Sequence, residues 1–428
     1  MKIEKLCVRR QIEDVAGATT HGHKIAIKGG YIHQAFQGGY TYSPLGCRVL
    51  QNIEKIIREE MNAVGGQEIL MPVVSGAELW RLSGRYDSAA ESLGLVKFKG
   101  RGGADYLLNA THEEAVVDFV KTVLESYRQM PFMVYQIQTK YRDELRARAG
   151  TLRTREFRMK DGYSFHETQE DLEKYYAQCL SAYYKLFKRC GFINIIHVES
   201  PTGGMGGTLA HEFQLIHKNG EDTVYLCDCG FNMNNELVEN GEEGICPKCG
   251  AKMRKERGIE IGNIFQLGTK YSESMNLTYT DANGKQGHPI MGCYGIGTTR
   301  VFGALLEESA DEKGPVWNME TAPFAVEVIG LADKTGKTFE LAQEIHDMLD
   351  GAGIEVLLDN RDVRAGEKFA DADLIAAPIR LIVSEKNLAE NFIEVKYRVN
   401  KNTDKLPTKF SPENYLMEVI ETIIKLKH

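Results

Sequence analysis

The chain has 428 residues, 43% hydrophobic and 26% charged, with a formal net charge of −8. That is the balance of an ordinary globular protein of about two domains, and it excludes a basic surface spread over the whole molecule as the means of holding nucleic acid. No apolar run reaches the length of a membrane span, and residues 1–5 (Met-Lys-Ile-Glu-Lys) lack the apolar centre of a secretory signal. Nine cysteines, an odd and unevenly spread set, point to reduced thiols in a cytoplasmic protein.

In chain order, residues 45–64 carry Val49, Ile53, Ile56, Ile57 and Met61 near helical spacing, which predicts an amphipathic helix. Gly65-Gly66 ends it, and residues 67–72 read as a strand stopped by Pro72. Residues 168–190 predict a second helix, with Thr168 as N-cap, Glu170 and Asp171 in the first turn, and Gly191 beyond the end. Its tyrosines, Tyr175, Tyr176, Tyr183 and Tyr184, read as packing residues. Residues 311–323 read as a linker. Beyond it, strands at 324–329, 354–358 and 379–383 alternate with helices at 336–350, 366–376 and 411–426, the pattern of a small α/β domain. The expected division is 1–320 and 321–428.

One local charge cluster stands out. Residues 140–160 hold eight cations against three carboxylates, a net of +5 in an acidic chain, which suits an anion site. Within it, Arg142-Asp143-Glu144 is followed by a loop and then by Arg153-Thr154-Arg155-Glu156-Phe157. Far downstream, Gly295-Ile296-Gly297 leads to Arg300. Arg-x-Glu, a loop, Arg-x-x-x-Phe and a distant glycine segment closing on arginine resemble motifs 2 and 3 of class II aminoacyl-tRNA synthetases. The helix and strand at 45–72 resemble their motif 1, which implies a homodimer. The fold expected is an α/β chain: an α+β catalytic domain on an antiparallel sheet, then an α/β anticodon-binding domain.

The chemistry suits those residues. Amino-acid activation brings a carboxylate to the α-phosphorus of ATP, so the site must neutralise charge and align two anions. Arg142 can bridge the two, Glu144 can accept from the adenine amino group, and Phe157 can stack on the base. Arg153 and Arg300 can clamp the outer phosphates, with Thr154 beside them, and Gly295 and Gly297 admit the nucleotide closely. ATP with Mg2+ is the implied cofactor pair, and Arg142 and Arg300 are the expected catalytic residues.

More specifically, nearly the whole chain resembles the prolyl-tRNA synthetases of the bacterial type. The stretches that carry this are residues 54–62, 135–144, 159–166, 258–262, 268–273 and 292–297. The resemblance implies that Thr111 and Glu113, together with Arg142 and His211, hold proline. A secondary ammonium has two N–H donors, which a hydroxyl and a carboxylate can accept. It also implies that Arg146 and Arg148 meet the acceptor end of tRNA(Pro), and that Arg361 and Lys368 meet its anticodon loop, with Phe369 in the core. The family usually writes Gly-Pro-Thr before the glutamate; this chain has Asn109-Ala110-Thr111. Relatives with a large editing domain carry it between motifs 2 and 3, where this chain has room only for a small cysteine element, so no editing in cis is expected.

That element is Cys227-x-Cys229, sixteen residues, then Cys246-x-x-Cys249. Four thiolates suit a closed structural Zn2+ site in a ribbon-like insert at 225–256; surface thiols without metal are the alternative. Two other readings of the whole chain stand beside prolyl-tRNA ligation. One is a synthetase paralogue that activates proline or a similar amino acid for an acceptor other than tRNA. The other is a non-enzymatic, tRNA-binding relative.

Overall fold

The computed structural model describes residues 1–11, 17–88, 92–238, 244–399, 402–407 and 421. Two compact units emerge. One comprises Phe36–Gly39 and Glu54–Ala304; the other comprises Met1–Ala35, Tyr40–Ile53 and Leu305–His428.

The first unit is built on a nine-stranded sheet. Its strands are β1 (Gly66–Glu68), β2 (Phe132–Tyr141), β3 (Glu156–His166), β4 (Ile195–Ser200), β5 (Leu209–Ile216), β6 (Asp222–Leu226), β7 (Asn232–Asn234), β8 (Arg254–Gly268) and β9 (Ile290–Gly297). The order across the sheet is β5-β4-β7-β6-β8-β9-β3-β2-β1, with β5 also paired to β8. Every pairing is antiparallel except β1 with β2 and the single β7–β4 pair. The expected strand at 67–72 is realised only over the three residues of β1.

One face of this sheet is covered by the helix Gln169–Cys190, as the sequence predicts. The Thr168 hydroxyl accepts from the Asp171 amide at 3.2 Å. Gly191 closes the helix at φ 110°, a left-handed conformation that favours glycine. Leu172, Tyr176, Tyr183 and Phe187 are buried on its inner side. Tyr183 reaches into the sheet, donating to the Gly295 carbonyl at 3.3 Å and accepting from Lys160 at 2.7 Å. The opposite face carries the helix Glu113–Val120, whose Val116, Val117 and Val120 join Tyr163, Phe165, Met291 and Cys293 in one buried cluster.

The second unit holds a five-stranded sheet: β10 (Val326–Gly330), β11 (Val356–Asp359), β12 (Ile379–Val383), β13 (Phe392–Tyr397) and β14 (Thr403–Pro407), in the order β11-β10-β12-β13-β14. The first three are parallel and buried along their length, and the last two run antiparallel. The three expected strands and the helices Lys337–Gly351 and Ala365–Ile375 fall within about two residues of their predicted bounds. β13 and β14 were not anticipated. The expected helix at 411–426 lies, Glu421 aside, outside the described residues.

The chain start belongs to this second unit for a physical reason. The fully buried Tyr31 donates to the Ile375 carbonyl at 2.8 Å and accepts from the Trp317 indole N–H at 2.9 Å. The Met1 amino group donates to the Val356 carbonyl at 3.0 Å. The compact units therefore follow packing rather than a single cut at 320/321.

Candidate active site

On the face opposite the helix Gln169–Cys190, the ends of β2, β3, β8 and β9 surround a cleft of about 610 Å³ including its open mouth. Its walls contain all eight residues expected to hold nucleotide: Arg142, Glu144, Arg153, Thr154, Phe157, Gly295, Gly297 and Arg300. Pairing explains the convergence. β9 lies between β8 and β3, with Gly295 opposite both Asn263 and Asp161, and Gly297 opposite Met159. A Cβ at Gly295 would stand 2.5 Å from the Asn263 side-chain oxygen, so a larger residue there would displace the Asn263 side chain.

The cations in the cleft are already held. Arg142 lies with its guanidinium 5.3 Å from the Phe157 ring centroid, and its Nε and Nη2 donate to the Ala110 carbonyl at 3.2 and 3.1 Å. Burial, and then the neighbouring Arg300 cation, work against the Arg142 charge, while Glu260 and Glu113 support it. Arg153 pairs with Glu144 at 3.0 Å and Glu221 at 3.3 Å. Arg300 donates to the Leu152 carbonyl at 2.9 Å and to the Glu260 carboxylate at 2.9 Å. Burial alone would raise the Glu144 carboxyl, but the Arg146 amide and Arg153 outweigh it and hold the group below its usual range. Sequence reasoning missed Glu260, Asn263 and Glu221. Glu260 and Asn263 come from the middle of β8 and Glu221 from the residue before β6, positions that only the sheet order brings near Arg142.

Thr111 and Glu113 stand together. The Thr111 hydroxyl donates to Glu113 Oε2 at 2.6 Å. Glu113, fully buried, also accepts from Arg85 at 3.4 Å and from the Cys293 thiol at 3.3 Å. Burial, and then the Glu113 carboxylate, push the Cys293 thiol far up, so it remains a donor. Arg85 also pairs with the buried Glu114 at 3.0 Å. Because Arg142 is bonded to the Ala110 carbonyl, the loop carrying Thr111 and Glu113 is joined directly to the arginine-lined cleft. Cys293 lies inside a motif quoted from the sequence, but Arg85 carried no local signal.

His211 is not brought to this site. Its strand neighbours show why. His211 pairs with Ile264, whereas Glu212 pairs with Asn263 on the cleft wall, and side chains alternate along a strand. His211 therefore turns toward the helix Gln169–Cys190. There its Nδ1 lies 2.8 Å from the Tyr176 hydroxyl, and burial and then His197 hold its imidazole down to about 4. The residue on this strand that joins the cluster with Cys293 and Tyr163 is Ala210.

The cysteine element is part of the sheet rather than an appended ribbon. β6 and β7 flank Cys227 and Cys229, and β7 is inserted between β4 and β6. The four Sγ atoms of Cys227, Cys229, Cys246 and Cys249 lie within 4.8 Å of one another. A tetrahedral zinc with bonds of about 2.3 Å needs sulfurs roughly 3.8 Å apart. The pairs Cys227–Cys249 and Cys229–Cys246 stand at 3.4 and 3.6 Å, so the donor set fits one such ion. Beneath it, Tyr225, Met233 and Met253 form a small apolar cluster with Cys227 and Cys246.

Of the residues expected at tRNA, Arg146 and Arg148 are exposed on the loop between β2 and β3, Arg148 in an ion pair with Glu221 at 2.5 Å. In the second unit Arg361 is partly exposed and bound to Asp359 and Asp371, each at 2.7 Å. Lys368 is different: it is fully buried. Its ammonium donates to the Gly330 carbonyl at 2.5 Å and lies 3.8 Å from the buried Asp359 carboxylate. A side chain committed in this way cannot also meet an anticodon loop. Phe369, expected in the core, is only partly buried, with the Lys396 ammonium 5.4 Å from its ring centroid.

The antiparallel sheet and the arginine-lined cleft define a class II aminoacyl-tRNA synthetase core, and residues 96–309 match the family described as tRNA synthetase class II core domain (G, H, P, S and T). Residues 325–416 match an anticodon binding domain. The chain is 40% identical over 406 residues to a proline–tRNA ligase of Wolbachia sp. subsp. Brugia malayi, covering 92% of this chain and 94% of that protein. It is 38% identical over 424 residues to one from Acidiphilium cryptum, covering 93% and 96%. A crystal structure of the prolyl-tRNA synthetase from Cryptosporidium parvum, complexed with halofuginone and AMPPNP, shares the fold at TM-score 0.76 and 16% identity, over 95% of this chain and 77% of that one. The chain belongs to the proline–tRNA ligase family. The alignment with the Thermotoga maritima member runs over 575 residues and covers all of this chain, so that relative has about 147 positions with no counterpart among these 428.

Proposed function

We infer that this chain ligates L-proline to tRNA(Pro) in two steps. In the first, a proline carboxylate oxygen attacks the α-phosphorus of ATP and the bond to pyrophosphate breaks, giving prolyl-adenylate. In the second, a ribose hydroxyl of the terminal adenosine of tRNA attacks the prolyl carbonyl and AMP leaves. The observation that carries this reading is the joining of the Thr111–Glu113 pair to the cleft through the bond between Arg142 and Ala110.

The roles follow from chemistry. Arg142 bridges the carboxylate and the α-phosphate, offsetting the repulsion between two anions. Phe157 and Glu144 take the adenine, and Arg153 and Arg300 leave their carboxylate partners for the outer phosphates. Thr111 and Glu113 accept from the imino nitrogen. Glu260 would offer an oxygen donor to magnesium arriving on the triphosphate, an ion that would offset part of the phosphate charge. Cys227, Cys229, Cys246 and Cys249 hold a structural zinc, which supplies folding energy rather than chemistry.

We assign tRNA acceptor contact to Arg146 and Arg148, anticodon contact to the 321–428 region including Arg361, and a homodimer interface to the 45–72 region. Leu70 there is 76% exposed, as a residue awaiting a partner would be. Among the described residues no helix is long and apolar enough to cross a membrane, and we place the protein in the cytoplasm.

The test is amino-acid-dependent ATP–pyrophosphate exchange with proline, alanine, cysteine and proline analogues, with Arg142→Ala as blank, followed by charging of a tRNA(Pro) transcript. Exchange driven chiefly by proline, lost in the blank, supports the assignment. Exchange driven by a different amino acid, or adenylate formation without tRNA charging, overturns it.

A further inference from the structure

Two side chains that no step of the reaction uses flank Thr111 and end on one atom. His112 Nε2 lies 2.9 Å from the Pro72 carbonyl oxygen, and Asn109 Nδ2 lies 3.2 Å from the same oxygen. Both side chains are fully buried.

Each is fixed from the other side as well. Asn109 donates to the Ser75 hydroxyl at 2.7 Å and accepts from the Trp80 indole N–H at 3.3 Å. Its own amide donates to the Val73 carbonyl at 2.8 Å. His112 Nδ1 lies 2.5 Å from the Lys140 ammonium, which has no lone pair to offer, so Nδ1 accepts and Nε2 carries the proton that goes to Pro72. Lys140 pairs with Asp161 at 2.8 Å, Asp161 accepts from the Tyr163 hydroxyl at 2.7 Å, and that hydroxyl accepts from the His112 amide at 3.0 Å. The ring of bonds is closed, and it lies on two sheet strands and the 69–73 segment. Gln136, on the same strand as Lys140, accepts from the Met71 amide at 3.0 Å.

We propose that Asn109 and His112 are positioning residues for the imino-acid pocket, a double clip onto Pro72 that holds the Thr111–Glu113 pair in reacting alignment. Related loops with Gly-Pro-Thr restrict this turn with a proline ring; here Asn109 supplies the restriction through side-chain bonds to Pro72, Ser75 and Trp80. The proposal rests on the proline-activating reading of the site. It makes proline affinity and discrimination against alanine depend on two groups that touch neither substrate.

The experiment uses the full chain with N109A, N109D and H112A. N109D keeps the acceptor for Trp80 but turns a carboxylate toward the Pro72 carbonyl, whereas H112A removes the other arm of the clip with Asn109 intact, and so serves if N109A folds poorly. Three quantities are read: KM for proline in pyrophosphate exchange, the proline-to-alanine ratio of kcat/KM, and Kd for a non-hydrolysable ATP analogue by calorimetry. The expected result is a rise in proline KM of about tenfold, the size set by losing one buried hydrogen bond from an ordered loop. The proline-to-alanine ratio should fall, and nucleotide Kd should stay within twofold. Lower melting temperature with unchanged proline KM would make the clip merely structural and overturn the proposal. Equal loss of proline and nucleotide affinity would overturn it too. If wild-type protein showed no proline-driven exchange, the functional reading would fail first, and independently of the clip.

Discussion

Replacing Arg142 with lysine keeps the charge and removes the fork, which makes it the sharpest probe of the cleft. The guanidinium has two tasks. Nε and Nη2 hold the Ala110 carbonyl at 3.2 and 3.1 Å, and the remaining N–H groups face a cleft lined by Glu144, Phe157 and Arg300. A lysine ammonium is a single point with three donors. Turned to Ala110, it leaves the place where the carboxylate and α-phosphate meet. Turned to the cleft, it frees the loop that carries Thr111 and Glu113. Losing one preorganised donor to a developing charge costs about 10²–10³ in rate, or roughly 3–4 kcal/mol. R142K is therefore expected to lower kcat/KM for proline-dependent exchange by that factor. The assay is pyrophosphate exchange at subsaturating proline, with melting temperature as the folding control. Activity within about fivefold of wild type would show that charge alone suffices, and would refute the bridging role.

Three further outcomes are expected. Metal analysis of protein purified without chelator should give about one zinc per chain, and Cys246→Ser should bring this near zero and lower the melting temperature; a metal-free wild type of equal stability would remove the zinc site. Lys368→Met should destabilise the protein by about 1–3 kcal/mol in urea unfolding, because it leaves the Gly330 and Asp359 backbone carbonyls without their buried donor while Arg361 still pairs the Asp359 carboxylate, whereas a stable variant with weakened tRNA binding would restore Lys368 to the anticodon surface. Burial, with Lys140 beside it, holds His112 down to about 4 against 6.5 in the unfolded chain. The unfolded state thus binds the extra proton, so stability is intact above about pH 6.5 and is lost as pH falls toward 4, by about 2 kcal/mol from pH 7 to 5. Urea unfolding of His112→Gln across that range should show a shallower slope, and an unchanged slope would assign the pH dependence elsewhere.

The arginine-lined cleft was legible because its motifs encode their own geometry. Arg142, Glu144 and Phe157 sit at the facing ends of adjacent strands, and Gly295 and Gly297 repeat with the period of a strand. The amino-acid pocket was half legible. Thr111 and Glu113, which the sequence pairs, do stand together, but His211 failed on parity: one residue along a strand reverses the face, and nothing local says whether position 210, 211 or 212 looks toward the cleft. Lys368 failed for a different reason. A lysine on a helix normally reads as solvated, and only its position beneath β10 and beside Asp359 reveals a buried cation. Glu260 lay inside the quoted 258–262 stretch without a role, and Asn263 and Arg85 carried no signal, because their nearness to Arg142 or Glu113 arises from strand order and loop packing, which spacing does not record. In the small α/β unit, β13 and β14 escaped because attention to strand–helix alternation leaves no place for an antiparallel pair.

The order of the large sheet has a consequence for synthesis. β8 and β9 lie between the block β1–β2–β3 and the block β4–β7, yet they leave the ribosome after both. Until residue 297 emerges, each block presents an unpaired edge, the condition in which nascent chains are most open to wrong pairing. Chains arrested at residue 253 are therefore expected to be digested quickly by a probe protease, and chains arrested well beyond residue 309 to resist it. Equal resistance at the two lengths would mean that the blocks are stable apart. If they are not, the growing protein depends on rapid translation, or on a chaperone, across a window of only about forty residues.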